Sequence, residues 1–291
     1  MISVILPTRN RAHILPAAIG ALDDAAFGHS VEVLVVDNGS TDATKKIVTS
    51  LAPKNIALLY LVEPIAGVCR AKNRGIRTAV GDLLVFTDDD CQVSLGYFND
   101  LVAHYSDSTV PMILGGRVEL GDPTDAAITI KTDDEPAQLG EDQHPGGFIH
   151  GCNLTMSRSV LDKIGLWDED FGPGARFIAA EETELNYRAH KAGIPVHYVP
   201  DMVTRHFHGR KTLDDVKRLN WQYQVGNGAL LAKHADRTLL KHLYWYARNW
   251  AKEFVGGPLF DKTLNLSHRE LVLGQIVGSA RYWTSRMRRS F

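Results

Sequence analysis

Asp88, Asp89 and Asp90 stand directly after an apolar stretch at 83–87, and three adjacent carboxylates repel one another enough to favour a counter-cation. Side chains alternate across a strand, so Asp88 and Asp90 are expected on one side and Asp89 on the other. Two converging carboxylates make a hard-oxygen site suited to Mg²⁺ or Mn²⁺. Such a site keeps open positions that a diphosphate fills, and the cation offsets charge building on that diphosphate as it leaves. The alternative is a solvated acidic turn that caps the next helix.

Further groups have chemistry to offer, each with a plainer alternative. Asp37 closes a second apolar run inside Val-Val-Asp-Asn-Gly-Ser-Thr-Asp. A carboxylate there accepts hydrogen bonds from a nucleobase or ribose, whereas Asp-Asn-Gly is equally a turn signal. Arg70, Lys72, Arg74 and Arg77 precede the acidic cluster. On a helix the three arginines share a face with Lys72 roughly opposite, so one face reaches a nucleotide while the other is solvated. Glu181, Glu182 and Glu184 suit the first turn of a helix, and Glu184 with Arg188 is an i,i+4 pair. Two consecutive glutamates behind Gly-Pro-Gly-Ala-Arg-Phe ask for more, namely a general base toward an acceptor hydroxyl. His206 and His208 alternate and so point the same way; one of them, His208 in the assignment adopted, completes the metal site as a neutral imidazole, with His206 the alternative. Trp167 is either a sugar-stacking wall or a core side chain.

The elements that must position these groups are legible from apolar runs and turn residues. Strands are expected at 3–6, 31–36, 56–62 and 83–87. Helices are expected near 14–22, from Thr41-Asp42 with Ser40 or Thr41 as N-cap, and near 69–80. Continuous apolar strands alternating with helices imply a parallel sheet covered on both faces, with ligands beyond the carboxyl ends of its strands. Those ends carry Pro7-Thr8-Arg9, Asp37 and the aspartates. After about residue 110 the pattern becomes mixed: a strand at 113–120, a long Asp-, Pro- and Gly-rich loop at 121–147, and a helix at 181–192. Two short strands at 196–199 and 202–208 follow, then helices from Asp214 onward.

Bulk properties narrow the class. The chain has 291 residues, 44% hydrophobic and 23% charged, which suits one large soluble α/β domain with or without an appended subdomain. A net charge of −2 provides no field for nucleic acid, so no nucleic-acid partner is expected. Cys69, Cys91 and Cys152 form no CxxC pair, which favours a reducing, cytoplasmic compartment over a disulfide framework. The start of the chain carries no signal-peptide pattern, and no apolar run approaches a bilayer span.

Taken in order, several segments resemble the family-2 glycosyltransferases of the GT-A fold. They are Val-Ile-Leu-Pro-Thr-Arg-Asn-Arg (4–11), Val-Val-Asp-Asn-Gly-Ser-Thr-Asp (35–42), Gly-Val-Cys-Arg-Ala-Lys-Asn-Arg-Gly-Ile (67–76) and Gly-Asp-Leu-Leu-Val-Phe-Thr-Asp-Asp-Asp (81–90). Gly-Cys-Asn-Leu-Thr-Met-Ser-Arg (151–158), Phe-Gly-Pro-Gly (171–174) and Glu-Glu-Thr-Glu-Leu (181–185) complete the set. The resemblance implies an α/β GT-A fold: a Rossmann-like, mostly parallel sheet flanked by helices. It spans residues 1–212, as a nucleotide-sugar half to about 110 and an acceptor half beyond, followed by a C-terminal helical extension at 213–291. It implies inverting, divalent-metal-dependent transfer from a nucleoside-diphosphate sugar to a glycan, lipid-linked or small-molecule acceptor, in surface polysaccharide or glycoconjugate synthesis. Pro7, Arg9 and Asp37 then hold the nucleotide, Lys72 lies near it, and Asp88 and Asp89 belong to the donor site. Asp90 takes the metal, with Asp89 the alternative ligand one residue away. Gly151, Asn153, Trp167 and Glu181 border the acceptor. Glu182 becomes the base, where the family's pattern has aspartate.

The tail from Leu239 to Phe291 holds Tyr244, Trp245, Tyr246, Trp250, Tyr282 and Trp283, then Arg286, Arg288 and Arg289. It is expected either to touch an anionic membrane surface, at the cytoplasmic face, or to cap the catalytic body. Two other functions compete. A sugar nucleotidyltransferase would carry a Gly-rich phosphate loop after the first strand, where Pro-Thr-Arg-Asn-Arg stands instead. A non-catalytic sugar-nucleotide or glycan binder would have lost the carboxylates. The lack of GxxxxGK[ST] disfavours a P-loop enzyme.

Overall fold

The strands, in chain order, are β1 (Ile2–Thr8), β2 (Val31–Asp37), β3 (Ile56–Val62), β4 (Leu83–Phe86), β5 (Cys91–Val93), β6 (Ile113–Leu120), β7 (Ala137–Gln138), β8 (Leu154–Ser157) and β9 (Val196–His206). The helices are α1 (Leu15–Ala25), α2 (Thr44–Ser50), α3 (Val68–Thr78), α4 (Tyr97–Ser106), α5 (Ser159–Ile164), α6 (Glu181–Lys191), α7 (Leu213–His234), α8 (Arg237–Glu253) and α9 (His268–Met287). The computed structural model describes residues 1–106 and 110–287. Arg288 and Arg289 of the basic tail lie outside the described residues.

One mixed sheet, ordered β3-β2-β1-β4-β8-β6-β9-β5 with β7 on β9, forms the middle layer. Its first four strands are parallel; β8 then runs antiparallel to both β4 and β6. Alternation along β1 and β2 explains why these runs are apolar throughout. Val4, Leu6, Val33 and Val35 pack with Leu15, Ile19 and Leu22 of α1 on one face. Ile5, Leu34 and Val36 pack with Cys69 and Ile76 of α3 on the other. The chain builds β1, β2 and β3 outward in one direction, then returns to place β4 on the opposite side of β1. That reversal opens a crevice at the carboxyl ends of β1 and β4, where open α/β sheets bind ligands.

Two expectations are corrected. The region 196–208 is a single strand to His206 rather than two, because its register against β6 jumps at Gly116/Arg117 and leaves Pro200, Asp201 and Met202 bulged from the ladder. Proline has no N–H to give there, so the bulge absorbs it. Helix α2 begins at Thr44 rather than Thr41, and it has no side-chain cap from Ser40 or Thr41. Asp42 instead accepts from the Thr44 backbone N–H (3.0 Å), while Ser40 accepts from the Asn10 N–H (2.8 Å) and ties the β1 and β2 loops together.

Helices α7 and α9 pack backbone to backbone through glycine. A Cβ on Gly228 would sit 2.0 Å from the Gln275 carbonyl oxygen, and one on Gly278 2.0 Å from that of Val225. Gly226 similarly lets α7 lie on the Ala179 carbonyl, just before α6. Phe171, Phe177 and Ala180 share a core with Leu230, Leu231 and Tyr282, so the C-terminal helices close on the loop leading into α6. Among the described residues no helix is long and apolar enough to cross a membrane.

Candidate functional site

A cleft of about 500 Å³ opens at the β1/β4 reversal, lined by Pro7, Thr8, Arg9 and Arg11 from the β1 end and by all three aspartates from the β4 end. Beyond Phe86 the chain turns, yet Asp88 and Asp90 still converge while Asp89 points to β1, where it accepts a hydrogen bond from the Thr8 hydroxyl (2.7 Å). His206, paired with Cys91 across the β9–β5 ladder, brings Nε2 to 3.3 Å from Asp90 Oδ1. One ligand atom each from Asp88, Asp90 and His206 lies within 4.8 Å of the others. Two carboxylates and an imidazole suit a divalent first-row ion.

His208 does not join that group, and the histidine that does is His206, the alternative given above. The strand ends at His206, and the two histidine rings stay neighbours, edge to face with centroids 5.2 Å apart, but it is His206 that reaches Asp90. His208 Nδ1 instead accepts from the Arg210 N–H (3.0 Å) and lies 3.6 Å from Asp125 Oδ2.

Lys72 is buried at 2% exposure, its ammonium 4.2 Å above the Trp167 ring. Burial alone would lower its pKa, but Glu181 and Asp88 reverse the direction and raise it. The face of α3 that reaches the cleft is thus that of Lys72, while Arg70 pairs with Glu169 (2.7 Å). Glu181 and Glu182 enter from the first turn of α6, after Ala180 in a left-handed conformation (φ +74°). For a non-glycine residue that conformation is strained and must be held by its surroundings, here the packed face of α7.

The carboxylates are desolvated in unequal ways. Burial raises Asp88, and pushes Asp89 up to about 7 despite the Thr8 hydrogen bond. Burial works against Asp90 too, but the hydrogen bond and charge of His206 hold it below the ordinary range. Across the cleft burial raises Glu181, and burial with the Glu181 charge takes Glu182 to about 8. So many raised carboxyls in one cleft mark a place where added positive charge is stabilised.

Several expected residues have other duties. Asn153 is fully buried: its amide donates to the carbonyls of Arg117 (2.9 Å) and Met202 (2.8 Å), and its oxygen accepts from the Tyr97 hydroxyl (2.8 Å). With each amide atom engaged, it holds β8, β6 and β9 together rather than facing an acceptor. Trp167 is 2% exposed, edge-on to Phe86 at 5.1 Å, with its backbone N–H donated to Asn73; it is core rather than a sugar wall. Asp37 accepts from the Tyr60 hydroxyl (2.5 Å) and the Ser40 N–H (2.7 Å) and lies outside the cleft lining, which its neighbour Asn38 joins. Gly151 does border the cleft, close enough that a Cβ there would be 3.6 Å from both Glu182 Cβ and Lys72 Nζ.

Residues that sequence reasoning passed over also line the cleft: Arg11, Thr129, His150 and Arg210, with Leu219, Gln222 and Tyr223 of α7. The i, i+3, i+4 spacing of the last three marks one helix face, although nothing local says what that face covers. Thr129 and His150 belong to the long region after β6, which is pinned by Ala126 N–H to the Arg210 carbonyl (2.8 Å) and Gly209 N–H to Asp125 (2.8 Å).

This arrangement has known counterparts. The family model described as Glycosyl transferase family 2 matches residues 3–165. Glycosyltransferase AglE of Haloferax volcanii is 27% identical over 246 residues, covering 84% of this chain and 77% of its own length. The pre-mycofactocin glycosyltransferase of Mycobacterium tuberculosis is 24% identical over 81% of this chain, which spans about half (49%) of that longer protein. Among solved structures, mannosyltransferase PcManGT from Pyrobaculum calidifontis, determined with GDP-Man and Mn²⁺, superposes with a TM-score of 0.66 at 19% identity. It covers 98% of this chain and 87% of its own, a likeness of fold that matches the GT-A architecture. With the family model matching more than half of its length, the chain belongs to glycosyl transferase family 2 and is a glycosyltransferase.

Proposed function

We propose that the protein transfers a sugar from a nucleoside-diphosphate sugar to an acceptor hydroxyl by a single inverting displacement, with Mn²⁺ or Mg²⁺ bound by Asp88, Asp90 and His206. The carrying observation is that this ligand set and the raised carboxyl of Glu182 line the same cleft. A bound divalent ion would supply charge stabilisation for the departing diphosphate. Arg9, Arg11 and Arg210 line the same space and offer bidentate phosphate contacts. Pro7 borders the nucleotide, and Asp37, with acceptor capacity beyond its two protein bonds, contributes at the nucleoside end. Lys72 fixes the charge balance between Asp88 and Glu181.

In the transfer, Glu182 takes the proton of the acceptor hydroxyl as its oxygen attacks the anomeric carbon. The bond from that carbon to the diphosphate breaks, and its electron pair leaves with the diphosphate. A carboxylate whose conjugate acid sits near 8 is intrinsically more basic than an ordinary glutamate, and its deprotonated, active fraction grows as pH rises. Gly151 leaves room beside it for the acceptor. The donor half is residues 1–110 and the acceptor half 111–212, with α7 of the helical extension completing the wall. Acceptors of surface polysaccharide or glycoconjugate type fit this reading.

The test combines donor binding and turnover. Nucleoside diphosphates and sugar nucleotides are screened by thermal shift with and without Mn²⁺, where a ligand at a hundred times its Kd adds about 2.7 kcal/mol. The expected result is a Mn²⁺-dependent shift that is lost in Asp90→Asn. Glu182→Gln should keep that shift while transfer falls about 10²–10⁴-fold. A shift indifferent to Mn²⁺, or full transfer by Glu182→Gln, refutes the assignment.

We also propose contact with an anionic membrane surface through α8, which exposes Leu240, Tyr244 and Trp245 in one stripe with Arg237, Arg248 and Lys252. Interleaved aromatics and cations suit the headgroup region. Co-sedimentation with phosphatidylserine vesicles should drop several-fold in the double variant Trp245→Ser, Arg248→Glu; equal sedimentation refutes the contact.

A further inference from the structure

Behind the acidic cluster lies a second, chemically different set of donors. Cys91 on β5 and Cys152 in the turn at Gly151–Asn153 are far apart in sequence, yet together with Val118 they form a small cluster separate from both main cores. One ligand atom each from Cys91, Cys152 and His206 lies within 4.8 Å of the others. Asp90 Oδ1 is 3.8 Å from the Cys91 sulfur. All three cysteines are free thiols, and Cys152 lines the cleft, which gives an ion a route in from solvent.

We propose that Cys91, Cys152 and His206 form a site for a thiophilic divalent ion such as Zn²⁺ or Cd²⁺, with Asp90 as fourth ligand. A tetrahedral ion bonded to sulfur at about 2.3 Å and to nitrogen at about 2.0 Å needs its ligand atoms roughly 3.5–4 Å apart. Binding requires the three to close from within 4.8 Å of one another to that spacing. It releases both thiol protons and the ring proton of His206 to solvent, the two thiolates and Asp90 leave the loaded site with one net negative charge, and the metal's affinity for sulfur overcomes the raised thiol of Cys91. Hard oxygen ligands sort Mg²⁺ and Mn²⁺ to the Asp88 side, and soft sulfur sorts Zn²⁺ and Cd²⁺ to the cysteine side. Both sets call on His206 and Asp90, so occupancy of one disables the other. The consequence, which rests on the donor-metal reading given above, is that Zn²⁺ inhibits transfer in competition with Mn²⁺.

The site is tested by titrating the full chain, stripped of metal, with Co²⁺. A thiolate-to-cobalt charge-transfer absorption should appear, saturate at one ion per chain and be bleached by Zn²⁺. Cys91→Ser and Cys152→Ser should each lose it, and Asp88→Asn should keep it. No such band in the unsubstituted chain, or its survival in both cysteine variants, overturns the site. A second measurement needs no substitution: Zn²⁺ should slow iodoacetamide labelling of Cys152 at least tenfold, mapped by mass spectrometry. Equal labelling with and without Zn²⁺ also overturns it. Donor binding is read separately. A cobalt–thiolate band without any Mn²⁺-dependent donor binding sinks the donor-metal reading and leaves the thiolate site standing; the converse sinks the thiolate site alone.

Discussion

Glu184 offers the sharpest test of how the reactive loop is held. It sits one residue beyond the Glu182–Thr183 pair on α6, at 0% exposure, and it is the hub of a buried ion network. Arg188 Nε donates to both its oxygens (2.9 and 2.8 Å), Lys233 of α7 donates at 2.5 Å, and His234 Nε2 lies at 3.3 Å. Lys233 also reaches Asp168 (2.6 Å), so α7 is tied both to α6 and to the loop before it. Burial opposes the ionised form, yet His234, Arg188 and Lys233 together bring the carboxyl from 4.5 down to about 2. A group depressed in the folded state contributes stability above its unfolded pKa and loses it as pH falls through the folded one. Linkage puts that contribution at roughly 3 kcal/mol at pH 7, falling to roughly 1 by pH 3. It agrees with the ~3–5 kcal/mol typical of breaking a buried pair from one side. Glu184→Gln preserves shape and removes the charge. Urea unfolding at pH 7 should show the variant about 3–4 kcal/mol less stable, with the gap shrinking to about 1–2 at pH 3. A gap below about 1 kcal/mol at pH 7, or one of equal size at both pH values, would falsify the reasoning.

Three further outcomes follow from the packing and the site. Gly228→Ala gains about 1 kcal/mol of helix propensity but forces a methyl 2.0 Å from the Gln275 carbonyl, so a net loss of roughly 1–3 kcal/mol or more is expected in urea unfolding. A stabilised variant would show that α7 and α9 do not meet there. Trp167→Ala should cost about 3–5 kcal/mol as a core truncation, and near-zero cost would return Trp167 to the acceptor wall. For Glu182, a base must be deprotonated to act, so transfer should rise with pH through the raised carboxyl. A profile flat from pH 6 to 9 counts against the base role.

What the sequence determined by itself is which polar groups gather at the carboxyl ends of β1 and β4. Parallel strands announce themselves as unbroken apolar runs, because both faces are buried, and their carboxyl ends are where polar residues collect. Asp88, Asp90, Arg9 and Lys72 therefore stood out together, each within a few residues of a strand or helix that fixes it. Glu181 and Glu182 were legible for the same local reason, as unusual acids at the start of a helix. Only the tertiary structure decided contacts between distant segments. The choice of His206 over His208 turned on their partners from distant segments, Asp90 for the one and Asp125 for the other. The burial of Trp167 and Asn153 depended on which layers meet at their positions, and periodicity does not report that. The wall provided by Gln222 and Tyr223 depends on α7 closing over α6 through glycines whose partners are some fifty residues away. A pattern of spacing records which face a residue occupies, but what lies opposite that face is settled by packing alone.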